Sequence, residues 1–435
     1  MKYEERTPKS KELFEEARKV LPGGVTYSLR YFEPYPFYVK RAEGCKLWDV
    51  DGNEYTDYWL AHGAVVVGHG YKPVIDAVRE QLEYGTHFGW CNEWEIKWAE
   101  AVCRWFPSAE MVRPTNSGTE ANMYAIRVAR AYTGRKKVGK FKGHWHGGYD
   151  GLHKGVSYPY DKPASLGLTD SVMNDIVLLS LDLDEVRRKA SEEELACIII
   201  EPIMGIGGFI PIGRDFLEGL RELCDEKGIV LIFDEVITGF RFPGGAQSLY
   251  GVTPDMTTLG KTVGGQYFPG AGAFCGKAEI MEKIDQIKYP NFWERAFHGG
   301  TYTGNPLTMR AGYVLISELE RRKDEIYPYL DRLGEKIRRG LEDIFDRMNF
   351  RAFVTGIGSL FGVHFTKEKP VDGETAERTK DKEMNKRFFR FMIDHGIAYL
   401  SPQKAHFFLS AAHTENEIKY FLSVVEEFVR VNKRG

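Results

Sequence analysis

Two short apolar runs constrain this chain most: Ala196-Cys-Ile-Ile-Ile200 and Ile229-Val-Leu-Ile-Phe233. Each is continuous rather than alternating, so a strand made from it presents apolar side chains on both faces and needs cover on both. Helical periodicity surrounds them, over 73–84, 94–105, 119–133 and 214–227. Strands alternating with helices predict an α/β domain with a largely parallel sheet. Past residue 310 the pattern changes. Long charged helices over 309–347, 378–395 and 414–432 flank short strands near 351–356, 359–365 and 406–410. At the other end, residues 9–21 have the spacing of an amphipathic helix, and 37–58 read as hairpin strands around an Asp51-Gly52 turn. The expected organisation is an N-terminal segment 1–65, a large domain 66–308 and a smaller α+β domain 309–435, which the N-terminal segment joins.

Composition excludes several roles. A formal charge of -3 gives no basic footprint, which argues against nucleic acid as a partner. No apolar run reaches the ~20 residues of a membrane helix. The charged start MKYEERTPKSKELFEEARKV has no secretion-signal core, so the expectation is a cytoplasmic protein off the membrane. Six cysteines without a CxxC pair predict reduced thiols and no zinc site. Gln is scarce beside plentiful Lys and Glu, a bias reported for thermophiles.

Four stretches carry chemistry. Asn116-Ser-Gly-Thr-Glu-Ala-Asn122 follows a strand-like run and opens a helix. Small and hydroxyl residues there expose backbone N–H groups at the positive end of the helix, a natural phosphate site. The plain alternative is a cap, with Ser117 or Thr119 as N-cap. Asp234 ends the second apolar run, where open α/β sheets place their ligands. A carboxylate there needs a cation or donors, either a protonated ring nitrogen or an ion pair with Arg241. Gly143-His-Trp-His-Gly147 sets Trp145 as a flat platform; the two histidines lack a third ligand for a metal. Lys261 stands among small residues in Leu259-Gly-Lys-Thr-Val-Gly-Gly265, as suits an amine approached closely by something flat. A second glycine- and hydroxyl-rich turn, Gly299-Gly-Thr-Tyr-Thr-Gly-Asn-Pro306, precedes a helix.

Together these supply a phosphate cradle, a stacking ring, a strand-end carboxylate and a desolvated lysine. Those are the parts that hold pyridoxal phosphate, with the aldehyde on Lys261, which can also shuttle a proton.

The chain resembles the class III (fold type I) pyridoxal-phosphate aminotransferases in NSGTEA, DEVITGFR, LGKTVGG and GGTYTGNP, in the family's order. LPGGV, GLTDSV and SAAHTENEI are similar to its glutamate-1-semialdehyde 2,1-aminomutase branch. The resemblance implies a mainly parallel sheet of the seven-stranded type and a homodimer with shared sites. It implies that Ser117, Gly118 and Thr119 bind phosphate, Trp145 stacks where tyrosine is usual, and Val236 packs on the other ring face. By it Asp234 pairs with the ring nitrogen, Lys261 carries the cofactor, and Thr301 reaches a neighbouring subunit's phosphate. Arg30 matches an arginine that binds a substrate carboxylate.

The chain departs from that branch as well. Residues 401–408 carry no acidic side chain where a glutamate is usual, and His62 replaces a tryptophan, with Trp59 nearby. These departures predict an aminotransferase that takes an amine or a β-amino acid and a keto acid, with Tyr27, Tyr267, Phe268 and Phe407 lining a hydrophobic pocket or lying in the core. The alternative is the aminomutase or another isomerising relative such as a racemase. A non-catalytic binding protein on the same fold is disfavoured because Lys261 and Asp234 are both intact.

Overall fold

The computed structural model describes residues 2–266 and 271–433. Two compact units emerge, one of residues 72–327 with 371–374, the other of residues up to 71, 328–370 and from 375 on.

The unit of 72–327 is built on a seven-stranded sheet. Its order is Met111–Thr115, Gly272–Gly276, Met256–Gly260, Val230–Asp234, Leu195–Ile200, Lys137–Phe141, Ile176–Leu179. Gly272–Gly276 runs antiparallel to both neighbours, and the other pairings are parallel. The two apolar runs lie side by side at its centre. Cys197, Ile199, Val230 and Ile232 pack under Tyr124, Ala125 and Val128 of the helix Gly118–Thr133. Ile198, Ile200, Leu231 and Phe233 point to the opposite face and are fully buried too. Cover on both faces is what the continuous runs demanded.

The helix after the first strand starts at Ser117, whose Oγ accepts from the Glu120 N–H at 3.1 Å, and it stops at Gly134 with φ 72°. The helix Arg214–Lys227 ends likewise at Gly228, with φ 59°.

In the other unit, Val39–Glu43, Lys46–Asp49 and Glu54–Asp57 form an antiparallel meander, and Ile397–Ala398 adds to it in parallel. A second sheet joins Phe353–Ile357, Leu360–His364 and Ala405–Phe408, all antiparallel. Phe407 belongs to this unit's core, stacked on Phe361 at 4.9 Å and fully buried, so the pocket role expected for it is set aside. Two expected helices are also corrected. The 309–347 stretch is two helices, Pro306–Arg321, which belongs to the unit of 72–327, and Lys323–Arg347, because Arg322 breaks the helical path at φ -108°. The 378–395 helix is Lys382–Asp394, because Asp381 caps it by accepting from the Met384 N–H at 2.9 Å. Among the described residues no helix is long and apolar enough to cross a membrane.

Candidate active site

Four chain segments meet at the carboxyl ends of the central parallel strands. They are the turn Asp234–Val236, the residues Gly260–Lys261, the loop 144–148 after Lys137–Phe141, and the helix start at Ser117. Open α/β sheets gather ligands at such strand ends.

Asp234 is fixed by three donors. Its Oδ2 accepts from Asn122 Nδ2 at 2.8 Å and from His146 Nδ1 at 2.7 Å, and its Oδ1 accepts from the Val236 N–H at 3.0 Å. Arg241, considered as an ion-pair partner, is not one of these donors. Asn122 is held in turn, its Oδ1 accepting from Thr258 Oγ1 at 2.6 Å. Burial pulls His146 below the ordinary histidine range against the opposing pull of Asp234, and because a carboxylate oxygen accepts, His146 Nδ1 is the donor of their bond. His146 Nε2 is buried without a hydrogen-bond partner.

Lys261 follows the strand Met256–Gly260 and has φ 52°, a left-handed conformation that costs a side-chain-bearing residue strain. Desolvation lowers its ammonium below the usual lysine value, with Asp234 and Glu201 opposing. An amine drawn down in this way is more readily available as a nucleophile.

Val236 is wedged between two backbones. A Cβ added to Gly118 or to Gly260 would come within 2.9 Å of its methyl groups. The aromatic loop sits as closely on the helix start: a Cβ on Gly147 would fall 2.2 Å from Thr119 Oγ1. Ser117, Gly118, Thr119, Trp145, Val236 and Lys261 are all partly accessible, above a floor of buried Asn122, His144, His146, Asp234 and Thr258. A planar group with an anionic tail fits this arrangement: a fixed carboxylate for a ring cation, an amine, an indole, and N–H groups at a helix start.

The remaining expected residues lie elsewhere. Thr301 is exposed on a cleft of about 1080 Å³ that also involves Trp90, Ile287 and His298. In the other unit, Arg30 is exposed and donates to Thr26 Oγ1 at 2.8 Å. His62 is sandwiched there, its ring 5.7 Å from Tyr27 and 4.8 Å from Trp59. Leu60, Ala61 and His62 all have positive φ, near 51°, 52° and 59°. Asp57 pins that turn by accepting from the Trp59 and Leu60 N–H groups at 2.8 and 2.9 Å. Tyr267 and Phe268 lie outside the described residues.

Sequence reasoning missed Asn122, Lys140, His146 as a partner of Asp234, and Glu201. The strand-end rule that found Asp234 applies equally to Glu201, which directly follows the other apolar run.

The class-III aminotransferase family model matches residues 27–407. The chain belongs to that family. Pyridoxal 5′-phosphate is its cofactor. Over 94% of each chain it is 42% identical to the glutamate-1-semialdehyde 2,1-aminomutase of Salinibacter ruber. It also superposes on an omega-transaminase from Sphaerobacter thermophilus, with TM-score 0.90, 36% identity and 98% of each chain covered. A β-phenylalanine aminotransferase from Variovorax paradoxus gives TM-score 0.89 at 31% identity, covering 99% of this chain and 96% of that one. The name these curated relatives carry, glutamate-1-semialdehyde 2,1-aminomutase, is that of the alternative in the sequence reading.

Proposed function

We propose that this chain moves an amino group between carbon atoms at Lys261, using pyridoxal phosphate. The observation that carries the reading is Asp234, held by three donors at one strand end, beside Lys261 at the end of the next strand. When bound, the cofactor supplies an electron sink for the carbanion left by loss of a Cα proton. In this reading the Asp234 carboxylate keeps the ring nitrogen protonated, and the Lys261 amine takes up and returns the proton. The Gly118 and Thr119 N–H groups, with the Ser117 and Thr119 hydroxyls, hold the phosphate, while Trp145 and Val236 bracket the ring. Arg30, with Trp59 and His62, is the carboxylate-binding candidate of the other unit.

Of the two outcomes open to such a site, isomerisation of glutamate-1-semialdehyde to 5-aminolevulinate has the stronger support, from curated relatives at 40–42% identity. Net transfer from an amine or β-amino acid to a keto acid is the second reading. It is favoured by the lack of an acidic residue in 401–408 and by the two transaminases above. One assay decides between them: glutamate-1-semialdehyde alone, then an amine with pyruvate or 2-oxoglutarate. Product from the first and none from the second supports the isomerase; the reverse result replaces it with the transaminase.

The assembly inferred is a homodimer. Trp90 and Ile287, which line the cleft that holds Thr301, are 84% and 86% exposed, and Phe292, Trp293 and Tyr302, nearby in sequence, are 70%, 84% and 63% exposed, an apolar display suited to a second copy. In such a dimer Thr301 would serve the partner's phosphate. Full activity of a dilute monomer would rule out the shared site.

A further inference from the structure

Beneath Trp145 lie two buried titratable side chains that the proposed chemistry does not use. Lys140, on the strand Lys137–Phe141, is fully buried, and Glu201, just past Leu195–Ile200, is 5% exposed. The two strands are parallel neighbours, with Lys140 paired to Ile199. Lys140 Nζ donates to the His144 carbonyl at 2.9 Å and to the Phe141 carbonyl at 3.4 Å. Glu201 Oε2 accepts from the Trp145 N–H at 2.8 Å, and its Oε1 accepts from the Gly205 N–H at 3.1 Å. The Glu201 N–H donates to His144 Nδ1 at 3.1 Å.

The peptide linking His144 to Trp145 is therefore gripped at both of its polar atoms. Its carbonyl meets the buried Lys140 amino group and its N–H the buried Glu201 carboxyl group. A loop peptide needs neither to stay folded, because neutral donors and acceptors would satisfy it at far lower desolvation cost. Whichever of the two groups is charged forms the shorter and more directional bond, which fixes orientation rather than mere proximity.

We propose that Lys140 and Glu201 are positioning residues which, by clamping the 144–145 peptide, set the plane of the Trp145 indole against the cofactor ring. The proposal rests on the reading of Trp145 as the ring's stacking partner. Protonation supports it from a second direction. Burial draws Lys140 down to about 7, against the pull of Glu201, and pushes Glu201 up to about 8, with Asp234 adding to the rise. The charged and titratable groups facing this pair are His144, His146, His153, Asp234 and Lys261, and His153 also packs edge-on against the Trp145 ring at 5.3 Å. Burial lowers all three histidines below their ordinary range, His153 against the pull of Asp150, so a charge change between about 7 and 8 belongs to the clamp.

The test uses the holoenzyme and reads visible circular dichroism of the bound cofactor, which reports how asymmetrically the ring is seated. In the unmodified protein that signal should change between about pH 7 and 8. The double variant Lys140→Met/Glu201→Gln leaves no unpaired buried charge, so it keeps the fold where Lys140→Met alone need not. In it the pH step should vanish, the dichroism should fall by about half or more, and cofactor should be lost on dialysis about tenfold more readily. A flat wild-type profile overturns the proposal. So does a double variant with unchanged dichroism and retention, whether or not its Tm falls, since a purely structural role moves Tm alone. The underlying reading fails separately, if borohydride fixes no cofactor on Lys261.

Discussion

The Asn122 amide bonds two groups of the site at once, donating to Asp234 Oδ2 at 2.8 Å and to the His146 carbonyl at 3.1 Å. One nitrogen thus ties the strand-end carboxylate to the loop that carries Trp145. Asn122→Ala should loosen both, at a stability cost of about 1–3 kcal/mol for the partners left unpaired. Cofactor retention should drop with it. Denaturant unfolding and dialysis of the holo variant check this; unchanged retention would show that the tie is not functional.

Asp234→Asn tests the electronics of the site. The fold should survive, because the amide can still accept from Val236, while turnover falls by roughly three orders of magnitude. A loss under about tenfold, roughly 1.4 kcal/mol of barrier, would reduce Asp234 to a structural residue.

Lys261→Ala should bind pyridoxal phosphate without a covalent link and turn over nothing. Borohydride reduction of the unmodified protein, followed by peptide mapping, should place the label on Lys261. A label on any other lysine would falsify the assignment.

His413 supplies a pH prediction away from the site. Its ring is fully buried, its Nδ1 accepts from the Ser410 N–H at 3.2 Å, and burial lowers it to about 4. The folded state therefore binds fewer protons than the unfolded chain between about 6.5 and 4. Stability from this group is complete above 6.5 and is lost as pH falls through that window. His413→Asn keeps an acceptor for Ser410 but cannot titrate. Urea midpoints measured from pH 7 to 4 should fall less steeply in the variant, and equal slopes would contradict the assignment.

The proposed dimer makes a further demand. Trp90 and Trp293 are each 84% exposed. Replacing both with Asp should leave the fold intact, shift sedimentation toward monomer and weaken cofactor retention. A variant that stays dimeric would move the interface elsewhere.

Much of the fold was legible because burial on both faces imprints itself on sequence. The runs 196–200 and 229–233 named the central strands, and helical periodicity marked the helix over 214–227. Asp234 and Lys261 stood out because polar residues at strand ends among apolar or small neighbours are costly. Asn122 and Lys140 were hidden inside ordinary helix and strand patterns, and only tertiary contact gives them meaning. The left-handed turn at Leu60–His62 left no trace, since none of the three is glycine; Asp57 imposes it from outside. Phe407, which its sequence left open between pocket and core, belongs to the core.

The strand Ile397–Ala398 completes the meander that begins at Val39 by pairing with Thr56 and Asp57. Those partners are separated by roughly 340 residues of chain. At synthesis rates of about 5–20 residues per second, the meander waits on the order of tens of seconds for its last strand. Meanwhile the contiguous stretch 72–327 emerges whole. On the ribosome, then, the middle of this protein can mature before its beginning does, and the N-terminal strands keep an open edge until the C-terminal segment arrives.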